Sequence, residues 1–515
     1  MKKILVVDFN GTSSVYTHYL SKGLIDKNNE VKILGKKKPE FLDVFENLNE
    51  YLGFKTRFKL LNYILNWCWL LTNYKKFDVV IIQWLQLLKY TSIEIKLLNY
   101  LQTRVKLIYV LHNLYPHNVK NNKVIKRYKQ LYRTSKNIAV HTSKVKRIIT
   151  ELSPEANVLK VEHGFFFKEF RQETPKIKKK KCLMIGYISK YKGIEDALKV
   201  VKLLKEKNVI ISLEIIGLGT PKYLNDLTKI IHNLKINNQV NILSKEVSTK
   251  FLIDKINQST MLWLPYKKIN QSGVSYTSIG LEKPFVGYDV GNFKTFFGDK
   301  GVAKIVEKDN VEAFSEGVIE IIKNEELYKE NIQKNYRQHL KNLKIVETIP
   351  RVFGVFYVHD ANGKVIYIGK GKNIKTVVNR LFLKETKRTQ KIQDKVVSVS
   401  YDKTGNELFT RLKYESELDI LSPKYNTRKK RKLTHLDFNH DDFIIIDKGR
   451  EIEENAIILV EKNEVFGYGF TNLAFQETQL DILKFILTPL KNKELSKSII
   501  KKFLQRNRVQ KIIRF

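Results

Sequence analysis

The most constraining feature of this chain is a rhythm that occurs twice. Short apolar runs alternate with helix-like segments, and after one polar, lysine-rich break the alternation starts again. The first series reads ILVVDF, VKILG, DVVIIQW, VKLIYVLHN and NIAVHT, with the helix-like SSVYTHYLSKGLID after its first run. The break is RQETPKIKKKK at 171–181. The second series reads CLMIGYI, a helix from Glu195, then SLEIIGLG, NQVNIL, MLWLPY and KPFVGYD. Strands that alternate with helical patterns imply parallel βαβ units. The expectation is therefore two doubly wound α/β domains over residues 1 to about 340.

From about residue 345 the texture changes. GVFYVHD, NGKVIYIGKG and VVSVSYD read as strands, and Asn362-Gly363 is a hairpin turn between the first two. A helix is expected over Glu407 to Leu421. The basic run RKKRK follows at 428–432, then a β-rich stretch from DFIIIDKGR through VFGYGF, and two amphipathic helices close the chain. A length of 515 residues gives a prior of about three domains, in keeping with this division.

Charge bounds the partners without choosing among them. Lys plus Arg is 93 against 53 for Asp plus Glu, a formal net charge of +40. Such a surface attracts nucleic acid, anionic lipid and phosphate-bearing nucleotides. A chain rich in Lys, Ile and Asn is also basic with no polyanionic partner at all. The two cysteines, Cys68 and Cys182, exclude a disulfide scaffold and a cysteine-based zinc module, and they fit a reducing, cytoplasmic setting. MKKILVVDF is too short an apolar run for a signal peptide and reads as a first strand. FKLLNYILNWCWLL at 58–71 is shorter than a membrane span and is interrupted by Asn62 and Asn66, so it fits a core helix or an interfacial one.

The motifs GTSSVYTHYL, LHNLYPHN, VEHGFF, GYISKYKG, IIGLG and QSGVSYTSIGLEKPFVGYDVG follow one another over residues 2–335. In this order they resemble the retaining glycosyltransferases of GT-B fold, family 4. The resemblance implies an acceptor domain at 1–170 and a nucleotide-sugar donor domain at 177–340. It also implies donor contacts at Gly11, Thr12, Lys190, Lys192, Gly193, Gln271, Ser272 and Gly273. A diphosphate leaving group needs positive charge, which Lys192 and the helix start at Ser272–Gly273 supply without a metal. His112, at the end of a strand, is the expected contact to the donor sugar; His117 and His163 are weaker candidates. The sequence also departs from the family. The two glutamates that relatives carry eight positions apart match Ile269 and Thr277, and the closing helix that returns to the first domain is expected to stop near 340.

A second pair of stretches is GVFYVHDANGKVIYIGKGKNIK and, further on, TGNELFTRLKYESELDILSPKYN. On these, residues 350–430 resemble a GIY-YIG nuclease domain, here assigned to 348–430. It is closest to the version attached to proteins related to the DNA polymerase III epsilon subunit, whose tail the α+β module at 440–515 also resembles. The family needs a tyrosine, an arginine and a metal-binding glutamate for phosphodiester hydrolysis. Here Phe356, Val377 and Tyr414 occupy those positions. Tyr367 is retained. Arg380 and Glu415 are the nearest substitutes for the arginine and the metal ligand, and Mg²⁺ or Mn²⁺ is expected only if this domain is active. Lys370, Lys372, Lys375 and Asn426 are the expected nucleic-acid contacts.

The expected function is transfer of a sugar from a nucleotide sugar to a glycan or lipid-linked acceptor, with no cofactor required. Peripheral contact with the inner membrane face and a degenerate nuclease module accompany it. The alternatives are a metal-dependent endonuclease, or a non-catalytic DNA-binding protein whose glycosyltransferase half is vestigial.

Overall fold

Every apolar run of the first series becomes a strand of one parallel sheet. Its strands are β1 (Lys3–Asp8), β2 (Glu30–Gly35), β3 (Glu50–Leu52), β4 (Val79–Ile82), β5 (Lys106–Leu111), β6 (Asn137–Val140) and β7 (Asn157–Lys160), in spatial order β3-β2-β1-β4-β5-β6-β7. The second series builds β8 (Lys180–Ile185), β9 (Ile211–Ile216), β10 (Val240–Leu243), β11 (Met261–Leu264), β12 (Phe285–Tyr288) and β13 (Lys304–Val306), ordered β10-β9-β8-β11-β12-β13. Both sheets reverse direction of winding beside their first strand, the place where open α/β sheets bind ligands. The computed structural model describes all residues except 36–49, 55, 116–120, 162, 173–179, 270–271, 385, 428–437, 439–441, 473–478 and 491. The chain forms two compact units, Met1–Asn335 and Tyr336–Phe515.

Both faces of each parallel sheet are buried. Leu5, Val7, Val80 and Ile82 face one core of the first sheet, and Ile4, Val6, Val79 and Ile81 the other. This is why its strands read as continuous apolar runs. An aromatic seam of Phe166, Phe167, Tyr276, Phe296 and Phe297, flanked by Tyr16 and Tyr19, joins the two α/β domains of this unit. Gly280 sits where its Cβ would lie 2.0 Å from the Phe166 carbonyl oxygen, so the seam depends on a residue without a side chain.

The apolar stretch with two asparagines is the helix Lys59–Asn73. Tyr63, Trp67 and Leu70 pack into the core, and so do the asparagines. Asn66 accepts from the Phe54 amide (2.7 Å) and donates to its carbonyl (3.2 Å), while Asn62 accepts from the Thr56 amide at 3.1 Å. The residues that interrupt the lipid-like run thus hold the preceding loop. Phe58, Leu60, Leu61 and Ile64 remain exposed on this helix and its N-cap.

In the second unit β14 (Gly354–His359), β15 (Val365–Gly371) and β16 (Ser398–Lys403) form an antiparallel sheet, ordered β15-β14-β16. The hairpin turn is as the sequence predicts: Gly363 has φ +74°, and Asp360 Oδ1 accepts from the amides of Asn362 and Lys364 at 3.0 Å. The strands β17 (Phe443–Lys448), β18 (Asn455–Glu461), β19 (Glu464–Thr471), β20 (Thr488–Pro489) and β21 (Lys511–Arg514) make a second antiparallel sheet, ordered β20-β19-β18-β17-β21. Leu408, Phe409 and Leu412, from the helix Glu407–Leu421, pack against Phe443, Ile445 and Ile458 of that sheet. The nuclease-like module and the tail therefore share one core.

Two expectations change. The helix expected to stop near 340 runs from Glu325 to Thr348, and Ile345 near its end packs with Phe356 and Val358. The chain does not close on two helices, because β21 follows them and pairs with β17. Residues 428–432, the basic run, lie outside the described residues.

Candidate functional site

The turn after β1 shows how the first domain shapes its ligand-facing end. Gly11 has φ +62°, and its amide bonds the Asp8 carbonyl at 2.9 Å. The Asp8 side chain then takes the two amides just ahead of the helix Ser14–Ile25: Thr12 N at 2.8 Å and Ser13 N at 2.9 Å. A carboxylate at a helix N-terminus is electrostatically favoured. It also means that the backbone donors of Thr12 and Ser13 already have an internal anion.

These residues border a cleft of about 380 Å³ that both α/β domains line, Gly11, Thr12, Tyr16, Trp84, His112 and His163 from one side and Thr249 and Gly273 from the other. His112 follows β5, half-buried and stacked on Trp84 at 5.0 Å with ring planes 5° apart. A relay holds its outer nitrogen. Thr17 Oγ1 donates to Asp8 (3.2 Å), Gln83 Nε2 donates to Thr17 Oγ1 (2.7 Å), and Gln83 Oε1 faces His112 Nε2 at 3.1 Å. With Gln83 oriented this way, Nε2 of His112 carries the proton. Burial, reinforced by His141, holds the His112 imidazole well below its ordinary pKa, so it is neutral at pH 7.

Lys192 lies in a short 3₁₀ turn after β8 and is buried. Its ammonium donates to the Ile185 carbonyl (2.9 Å) and the Tyr266 hydroxyl (3.1 Å), over the Tyr266 ring. A Cβ on exposed Gly186 would stand 2.9 Å from that ammonium, so the absent side chain leaves it one approach from the surface. Gly193 has φ +66°, with its Cβ position 1.9 Å from the Pro265 carbonyl oxygen. Lys190 is exposed. Ser272 is a buried N-cap whose hydroxyl makes no cap bond, and Gly273 opens the helix Gly273–Gly280 at the cleft. Gln271 and His117 lie outside the described residues. Of the sequence-derived donor contacts, the structure brings Gly11, Thr12, His112 and Gly273 to one cleft; Lys192 faces inward beneath Gly186.

Sequence reasoning missed His141. Like His112 it follows a central strand of the first sheet, and that position was its signal. Its ring lies 5.3 Å from His112 and 4.2 Å from His163, and Tyr16 stands edge-on to all three.

In the nuclease-like module the tyrosine position is filled by Phe356, fully buried against Gly369, whose Cβ would meet the ring at 2.1 Å. Tyr357 points to the opposite face and donates to Asp402 at 2.9 Å. Arg380 is exposed on the helix Ile374–Leu383; the cation over the Tyr367 ring is instead Arg388, 5.8 Å away and bonded to Thr427 at 3.2 Å. No motif marks Arg388. Glu415 pairs with Lys370 at 3.4 Å, and that ammonium sits 4.1 Å over the Tyr414 ring, so a lysine occupies the neighbourhood of the expected metal ligand. Asn426 braces Ile368, accepting from its amide (2.9 Å) and donating to its carbonyl (2.8 Å). Lys372 pairs with Glu407 at 2.8 Å, and Lys375 donates to the Glu347 carbonyl at 3.0 Å.

The family model for glycosyl transferases group 1 matches residues 166–338, and that for the UvrC-like GIY-YIG domain matches residues 352–427. The chain contains a glycosyltransferase group 1 domain followed by a UvrC-like GIY-YIG domain. Solved structures agree on the fold of the glycosyltransferase part. Sucrose-phosphate synthase from Thermosynechococcus elongatus aligns over 65% of this chain and 94% of its own, with a TM-score of 0.51 at 12% identity. Anabaena HepE, solved with UDP and glucose, aligns over 64% and 93%, with a TM-score of 0.52 at 11% identity. This likeness is one of fold, the GT-B arrangement of two α/β domains. The curated relatives match the GIY-YIG part. UvrABC system protein C of Flavobacterium johnsoniae is 30% identical over 159 residues, 30% of this chain and 25% of the relative. That of Coxiella burnetii is 34% identical over 82 residues, 16% and 14% of the two chains. The chain spans about a quarter or less of the length of these relatives. Among the described residues no helix is long and apolar enough to cross a membrane.

Proposed function

We propose that the glycosyltransferase part transfers a sugar, with retention, from a nucleotide sugar to a glycan or lipid-linked acceptor, and that the GIY-YIG part is a degenerate, non-hydrolytic appendage. The observation that carries the first half is the cleft itself, where His112 at a strand end of one parallel sheet faces Gly273 at a helix start of the other. As the anomeric bond breaks, negative charge grows on the departing diphosphate. The N-terminus of the helix Gly273–Gly280 and the Lys192 ammonium, reached past Gly186, are the groups suited to receive it. Neutral His112, held by Gln83 and Trp84, is suited to hydrogen-bond the sugar rather than to repel or attract a phosphate. Sugar transfer by this arrangement needs no metal.

The acceptor side of the reading rests on Phe58, Leu60, Leu61 and Ile64, an exposed apolar edge in a strongly basic chain, which suits a lipid-linked acceptor met at the cytoplasmic membrane surface. Degeneracy of the nuclease part rests on Phe356, Val377 and Tyr414 at the three catalytic positions. Exposed Arg380 and Lys372 remain suited to phosphate contacts with DNA.

The test is calorimetric titration of the full chain with UDP-, GDP- and ADP-linked sugars, beside Lys192→Ala. Saturable binding of one donor class, weakened about tenfold or more in the variant, supports the reading; a hydrogen bond to a charged group is worth roughly 1.5–3 kcal/mol. Absence of binding to every donor refutes it.

A further inference from the structure

Three histidines from three separate loops meet at the wall of the cleft. One ring nitrogen from each of His112, His141 and His163 lies within 4.8 Å of the other two. His141 and His163 are buried and His112 half-buried. Two of the three are held in a defined tautomer by an oxygen acceptor. His141 Nδ1 donates to the Val161 carbonyl at 2.8 Å, which leaves its Nε2 with a lone pair; that nitrogen is buried and has no hydrogen-bond partner. His112 Nε2 donates to Gln83 Oε1 at 3.1 Å, leaving the lone pair on Nδ1. A ring nitrogen fixed by a carbonyl oxygen while the other faces inward is the arrangement that orients metal-ligating imidazoles. An unsatisfied buried imidazole nitrogen otherwise costs free energy with no return.

We propose that His112, His141 and His163 form a three-imidazole site for a borderline divalent cation of the zinc class. Three neutral nitrogens with no carboxylate among them suit Zn²⁺, Co²⁺, Ni²⁺ or Cu²⁺ and do not suit Mg²⁺ or Ca²⁺. Ligands at roughly 2.0–2.1 Å in tetrahedral geometry stand about 3.4 Å apart, so the widest pair closes by about 1.4 Å, within reach of small side-chain rotations. Because His112 and His163 also line the cleft, a bound ion presents its open coordination position there. Occupancy then couples to whatever sits against His112. The Nδ1 lone pair that would hold the ion is also the one His112 has left for the sugar, so ion and donor compete there, while Lys192 and the helix Gly273–Gly280 lie outside the cation site; cobalt binding is read without any donor, so its failure is distinguishable from a failure of donor binding.

The experiment titrates chelator-treated full-length protein with Co²⁺ and follows visible absorption, then displaces the ion with Zn²⁺. The expected result is ligand-field bands of a low-coordinate site that saturate at one equivalent per chain, with Mg²⁺ unable to compete. His141→Gln and His163→Gln should each weaken Co²⁺ at least tenfold while circular dichroism stays that of the parent. Electron paramagnetic resonance of the Cu²⁺-loaded parent gives a readout that needs no variant: nitrogen couplings from three imidazoles are expected. Bands that survive in correctly folded His141→Gln, binding without saturation at one equivalent, or fewer than three coupled imidazole nitrogens would overturn the proposal.

Discussion

Replacing Gly193 by alanine tests the backbone geometry that places Lys192. Gly193 has φ +66°, and its missing Cβ would lie 1.9 Å from the Pro265 carbonyl oxygen. Two costs add. A residue with a Cβ in the left-handed region costs roughly 1–2 kcal/mol. Ordinary contact begins near 3.4 Å, so the turn and Pro265 must part by about 3.4 − 1.9 = 1.5 Å, and forced repacking of this kind costs roughly 1–3 kcal/mol. The sum is a loss of about 2–5 kcal/mol. The separation also moves the turn that carries Lys192, so donor affinity should fall with stability. Gly23 is the control. It lies in the helix Ser14–Ile25, is exposed, and has nothing within 4 Å of its Cβ position. There the same change should stabilise by about 0.5–1 kcal/mol, because alanine is the better helix former. The assay is urea unfolding followed by circular dichroism for both variants, with donor calorimetry on each that folds. A lower midpoint for Gly193→Ala beside an equal or higher one for Gly23→Ala is expected. If Gly193→Ala unfolds at the parent midpoint, the reasoning from close backbone approach is wrong.

Three further outcomes are expected. Burial raises the Glu94 carboxyl from 4.5 to about 7, partly offset by the Tyr63 hydroxyl that donates to it. Between these values the folded state keeps a proton that the unfolded chain has lost, so stability falls as pH rises through that window and levels off above it. Glu94→Gln should remove that slope and gain stability of order 3 kcal/mol at pH 8, read from unfolding midpoints between pH 5 and 8; parallel pH profiles for parent and variant would contradict the burial argument. Supercoiled plasmid with Mg²⁺ or Mn²⁺ should remain unnicked by the full chain; metal-dependent nicking abolished by Glu415→Gln would show that the lysine-paired carboxylate is a ligand after all. Leu60→Ser with Leu61→Ser and Ile64→Ser should lower co-sedimentation with anionic vesicles and leave the melting temperature within about 2 °C, since these side chains are exposed; unchanged sedimentation would remove the membrane reading.

Much of the fold was legible because its signal is local. Parallel strands buried on both faces must be apolar throughout, and every interior strand of the two parallel sheets announced itself, as did the edge strand β10. The strands β3, β7, β13, β20 and β21 did not, and each is a sheet edge. These edges are at least partly exposed and carry polar residues, so no continuous run marks them. The hairpin at Asn362-Gly363 and the helix Glu407–Leu421 were legible for the same local reason, a turn that needs positive φ and a stretch of helix-forming residues.

The candidate site was legible only where a position in a motif implies a position in space. Gly11, Thr12, His112 and Gly273 come from turns after strands or at helix starts, and parallel topology gathers such turns at one end of each sheet. What each group faces was decided by the tertiary structure. Asp8 takes the amides of Thr12 and Ser13; Lys192 turns inward to Ile185 and Tyr266; Lys370 pairs with Glu415; Asn426 braces Ile368. Arg388 reaches Tyr367 and His141 reaches His112 without a motif, because these contacts depend on how elements pack rather than on spacing along the chain. The sequence alone determined the interior strands of the parallel sheets and most of the helices, since burial periodicity and turn chemistry are properties of neighbours in the chain. The partners of each charge and imidazole are long-range, and only the packed fold selects them.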